Sequence, residues 1–172
     1  MTDAVMPDPR LPPAGADDGA GDEDLVTVRV LAAPLVLWDE AAQHTDELLR
    51  EFSLLSFGLD QGGRAVPVRL LELVAALQAR YAGISEEPEQ ERLAALAAGR
   101  TSLDLTYRVP PAAGPECQQL LDLLDEADDY CRQGTLMTLA TPPEQKRFRD
   151  WYLGEFVRQL EGEPPVAWSE HG

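Results

Sequence analysis

The feature that most constrains the fold is a repeated punctuation, proline where a helix can start and glycine where it can stop. Pro34 opens a segment that closes at Gly58, Pro67 one that closes at Gly83, and Ser85 precedes one that ends at Gly99. Pro115 opens a segment ending at Gly134, and Pro142 one ending at Gly154 or Gly162. Proline suits the first helical position because its missing N–H would have no partner there, and glycine takes the left-handed cap without strain. Thr141-Pro-Pro-Glu144 has the form of a capping box, with threonine at the cap and glutamate three residues later. Five helices are expected, and 172 residues suit one domain rather than two.

Three segments read as strands. Residues 25–31 (LVTVRVL) are β-branched and place Val26, Val28 and Val30 on one face. Residues 102–109 (SLDLTYRV) alternate, with Leu103, Leu105, Tyr107 and Val109 inward and Asp104, Thr106 and Arg108 outward. Residues 135–140 (TLMTLA) suit either a short strand or a loop. The predicted order is β-ααα-β-α-β-α, a helix-dominated α+β domain with a small two- or three-stranded sheet covered mainly on one face.

The chain is acidic, with a formal charge of −17. Residues 1–24 contribute −6, residues 163–172 contribute −2, and −9 remains for residues 25–162. The expected organisation is an unordered acidic stretch over 1–24, a globular domain over 25–162 and a loose tail over 163–172. A field of this sign repels nucleic-acid phosphates and anionic lipid and speeds encounter with basic partners. Nucleic acid and membrane are therefore not expected partners; no run approaches the ~18 consecutive apolar residues that span a bilayer. The N-terminus lacks the basic and apolar regions of a secretory signal. Cys117 and Cys131 sit on one predicted helix about 21 Å apart, too far for a disulfide. Reduced thiols in a cytoplasmic protein are expected.

Several chemistries lack their parts. The letters of Asp125-Glu126-Ala127-Asp128 match a helicase box, but no phosphate-binding loop accompanies them. Gly62-Gly63-Arg64 is no dinucleotide fingerprint, no nucleophile elbow occurs, and no C-x-x-C spacing suggests zinc. Only His44 and His171 are histidines, and nothing in the sequence ties His44 to a nucleophile. No catalytic constellation and no cofactor are implied.

Three groups of residues remain as candidates. Glu40, His44, Glu47 and Glu51 share one face of the first helix, either as half of a metal site or as a solvated stripe. The single histidine and the reversed His-x-x-Glu order, against the paired Glu-x-x-His of bundle di-iron sites, favour the stripe. In the fourth helix, Asp122, Asp125, Glu126 and Asp129 lie opposite an apolar face of Cys117, Leu120, Leu121, Leu124 and Cys131. Like charges at this spacing cost a few tenths of a kcal/mol per pair, which points to a basic counterpart. That counterpart is internal, with Lys146, Arg147 and Arg149 as candidates, or a docking partner; plain solvation is the third reading. The last helix carries a core stripe of Phe148, Trp151, Tyr152, Phe156 and Leu160, with Arg149 and Arg158 at its margin as docking anchors.

At the level of whole phrases, HTDELLREF at 44–52, SLDLTYRVP at 102–110, LDEADDYC at 124–131 and LATPPEQKRFRDWYLGEFVRQ at 139–159 carry a resemblance. The chain resembles, over residues 28–168, an uncharacterised actinobacterial family encoded beside anti-sigma-factor-type ATP-binding proteins and STAS-domain antagonists. A single lysine against 13 arginines suits such a GC-rich genome. The resemblance implies a cytoplasmic accessory role in partner-switching signalling and transfers no catalytic residue. The chain lacks the ATP-lid motifs of the kinase and the Asp-Ser phospho-acceptor loop of the antagonist, which leaves an adaptor or regulator. The expected function is thus a non-enzymatic regulatory protein with a protein partner; the alternative is a metal- or small-molecule-binding protein using the Glu40/His44/Glu47 ridge.

Overall fold

The computed structural model describes residues 25–56, 66–133 and 139–170. Two strands pair antiparallel: β1, Val26–Pro34, and β2, Ser102–Val109. The β2 side chains alternate as predicted, so Leu103, Leu105, Tyr107 and Val109 are buried while Asp104, Thr106 and Arg108 are exposed. β1 runs three residues beyond its predicted end. Val30 faces Leu105 but Ala33 faces Leu103, so β1 contains one extra residue. This bulge sets Ala32 at φ 55°, and its N–H donates to the Asp104 carboxylate at 2.7 Å.

Four α-helices follow among the described residues: α1, Leu35–Ser56; α2, Val66–Ala97; α3, Ala113–Arg132; and α4, Pro143–Leu160. The fold is helix-dominated α+β, with four helices and two strands among the described residues, where five helices and two or three strands are expected. The two helices predicted over 67–99 are one. Gly83 and Ser85 suggest a break and Pro88 lies inside the helix, yet Leu70, Leu77, Tyr81, Ile84, Pro88, Arg92 and Ala95 keep an unbroken helical period of inward positions. Inward packing of this stripe overrides the local cost of glycine and proline, together about 4 kcal/mol in an isolated helix. Leu139 and Ala140 carry no regular element, and the rest of the 135–140 segment lies outside the described residues, as do the 1–24 stretch, Gly58 and Gly62-Gly63.

Thr141 does not form the predicted capping box. Pro142 occupies the N-cap position and no side chain caps α4, because Thr141 turns its hydroxyl to Asp128 instead. Two layers result. One face of the sheet packs Val28, Val30, Leu105 and Tyr107 against Phe148, Trp151 and Phe156 of α4. The second core is helical, with Leu48 and Phe52 of α1, Leu70 of α2 and Leu123, Leu124 and Ala127 of α3. The expected loose tail packs: Trp168 lies against Phe148 and Trp151, within a short 3-10 turn, Trp168–Glu170.

Candidate functional site

The acidic face of α3 meets the first turns of α4 in an ion-pair seam. Asp128 is 1 % exposed; it accepts the Thr141 N–H and hydroxyl, each at 2.7 Å, and Arg149 Nη1 at 3.1 Å. Arg149, 8 % exposed, also donates Nη2 to Asp125 at 2.6 Å. Lys146 Nζ bridges Asp125 at 2.8 Å and Asp150 at 2.6 Å. Burial alone would raise the Asp128 pKa, but the Thr141 hydroxyl and N–H and the Arg149 charge outweigh it and hold it below the usual carboxylate value. For Lys146, desolvation is outweighed by hydrogen bonds to Asp125 and Asp150, which hold its ammonium above the usual lysine value.

The remaining α3 acids also find partners within the fold. Glu126 pairs with Arg69 of α2 at 3.0 Å, Asp129 with Arg132, and Asp122 accepts from Gln118 at 2.9 Å. Glu116 takes Arg80 and the Tyr81 hydroxyl. Burial, then Glu116, pushes the Tyr81 pKa up to about 12. Arg149, expected at an exposed margin, is instead buried at the seam. Arg158 bonds Glu155 at 3.2 Å, Glu163 at 3.2 Å and the Pro164 carbonyl at 2.9 Å, which fastens it to the chain beyond α4.

A second buried polar group on α4 holds two extended segments. The Gln159 amide accepts the Arg29 N–H at 2.9 Å and donates to the Arg29 carbonyl at 2.7 Å, pairing the outer edge of β1 as a neighbouring strand would. Glu155, 1 % exposed, accepts from Gln159 at 2.9 Å and from the Val166 N–H at 3.0 Å. The Val166 carbonyl accepts from Trp151 Nε1 at 2.9 Å. Both polar backbone groups of each residue are thereby satisfied by helix side chains.

Of the α1 ridge, Glu51 comes near α3, where its charge acts on Cys131 together with that of Asp128. Glu40 and Glu47 are exposed, and His44 and Glu51 are half-buried. Among the described residues no group of three or more His, Cys, Asp or Glu side chains is disposed to hold a metal ion. Both thiols are free. Burial, then Glu116, pushes Cys117 up to about 12, and burial, then Asp128, pushes Cys131 up to about 11, so both are protonated thiols at neutral pH.

Asp128, Glu155 and Gln159 were missed as structural polar groups. Asp128 had a signal: it lies four residues after Leu124 and three before Cys131, on the apolar side of α3. Glu155 and Gln159 flank Phe156 on the core side of α4, four residues apart, and their backbone partners are distant in sequence. Beneath α2 lie two adjoining cavities of about 280 and 230 Å³, lined mainly by apolar side chains. No helix among the described residues is long and apolar enough to cross a membrane. No protein-family model matches the chain, and comparison with curated proteins and with solved structures finds no match to either.

Proposed function

We propose that this chain is a non-enzymatic regulatory or adaptor protein of the cytoplasm, which acts by binding a basic protein partner in partner-switching, anti-sigma-factor-type signalling. One observation carries the reading. The acids of α3 are largely matched inside the fold, whereas Glu40 and Glu47 of α1 and Glu72, Glu86 and Glu87 of α2 make no ion pair among the described residues. Unmatched carboxylates on exposed helix faces cost solubility nothing and raise encounter rates with a basic surface. The buried charges point the same way. Asp128, Arg149 and Glu155 are engaged in fastening elements together, and the two thiols are held protonated by burial. The family resemblance supplies the signalling context.

The test is affinity purification of the full chain from the cytoplasm of its native host at low and high salt. Recovery of a STAS-domain or kinase-type regulator, lost at high salt, is expected. The quadruple change Glu40→Gln, Glu47→Gln, Glu86→Gln and Glu87→Gln should keep the melting temperature and weaken capture. Failure to recover any such regulator at low salt refutes the reading.

A further inference from the structure

α2 spans the other helices as a roof over an incompletely filled space. Its inward residues Val74, Leu77, Tyr81 and Ile84 are only half-buried. The two cavities beneath share Gln78, Leu120, Tyr152 and Leu153 as walls and adjoin along α2 as an elongated crevice. It follows α2 from Val74 to Ser85, about 16 Å of helix. On the α1 side Ala41 and Ala42 leave the space open, with Trp38, Phe148 and Tyr152 as aromatic walls.

The polar atoms along this crevice are mostly committed. The Thr45 hydroxyl donates to the Ala41 carbonyl at 2.9 Å, Tyr152 donates to the Tyr107 hydroxyl at 3.1 Å, and Arg149 is matched by Asp125 and Asp128. Asp46 is different: it lines the α1 end, is exposed, and makes no ion pair among the described residues. We infer that the crevice binds one elongated apolar molecule bearing a single cationic group, its chain beneath α2 and its cation at Asp46. Apolar walls supply the affinity, while the Asp46 carboxylate selects the charge. An anionic head group meets Asp46 and the net −9 charge of residues 25–162.

The roof also has a place to open. Gly83, Ser85 and Pro88 fall within two turns of α2, and Ile84 and Ser85 line the second cavity. Pro88 has no N–H for the Ile84 carbonyl, so the helix is weakest there and opens locally at least cost. This site is independent of the carboxylates assigned above to partner docking.

The test is calorimetric titration of the full chain with octyltrimethylammonium, with octanol and octanoate as probes of equal chain length. One saturable site for the ammonium, weaker binding of octanol and none of octanoate are expected. Ala42→Phe and Val74→Phe fill the crevice from opposite walls and should each abolish binding; circular dichroism shows which of them is folded, and Val74→Phe decides if Ala42→Phe is not. Asp46→Asn should weaken the ammonium about twofold to fivefold and leave octanol unchanged. The inference is overturned by no saturable binding, by equal binding of octanoate, by an unchanged affinity in Asp46→Asn, or by binding that survives in a folded crevice-filling variant.

Discussion

Asp128 and Arg149 provide the sharpest energetic test of this fold. Arg149→Met leaves the Asp128 carboxylate, 1 % exposed, without its cation while Thr141 still donates to it. Removing one partner of a buried pair costs roughly 3–5 kcal/mol, and the surviving Thr141 bonds put this case near 3. Asp128→Asn keeps an acceptor for Thr141 but turns an amide towards a guanidinium that still holds Asp125 at 2.6 Å, a loss of about 2 kcal/mol. The double variant removes both charges and should lose only about 2 kcal/mol, less than Arg149→Met alone. The expected coupling is therefore about 3 kcal/mol, the upper end for residues in contact. Urea unfolding at neutral pH, followed by tryptophan fluorescence, measures it. Losses that add to within about 0.5 kcal/mol would refute the reasoning, because they would mean that solvent screens the seam.

The same pair fixes a pH dependence. Asp128 has a folded pKa below its unfolded value of about 3.9, so its contribution is complete above that value. It is lost as the pH falls through the lower folded value. The stability gap between the native protein and Asp128→Asn should be widest near neutrality and narrow below about pH 4, as seen in urea midpoints. A gap that widens in acid would reverse the sign of the argument.

Three further outcomes follow from single positions. Ala32→Gly should stabilise by about 0.5–1 kcal/mol, since alanine at φ 55° is strained and glycine is not, and urea midpoints will show it. Pro88→Ala should gain about 1 kcal/mol, because restored helical bonding exceeds the lost burial of the ring; a loss would mean that the ring's packing dominates. Val166→Pro deletes the N–H held by buried Glu155 and should cost about 1–3 kcal/mol, with the melting temperature as readout.

Local periodicity makes much of the fold legible in the sequence. β2 alternates strictly, and each of its residues takes the face that its polarity requires. The α4 stripe of Phe148, Trp151 and Phe156 is core because so aromatic-poor a chain has few other large side chains to bury. The charge of the last helix's start and of α3 already suggested that one counterpart of the acids was internal, and Lys146 and Arg149 are seated there. The candidate crevice was not legible, since it depends on how far α2 stands from three other helices.

What the sequence by itself determined is therefore the set of elements whose apolar and polar positions repeat at their own period: β2, α3, α4 and the acidic surface. Only the tertiary structure decided the rest. α2 continues through Gly83 and Pro88 because its inward stripe finds the sheet and helices to pack on, a gain that local propensity does not register. Thr141 abandons a helix cap for Asp128 because a buried carboxylate needs donors more than an exposed helix end does. Asp128, Glu155 and Gln159 sit inside the protein because their partners, distant in the chain, arrive only when the layers close.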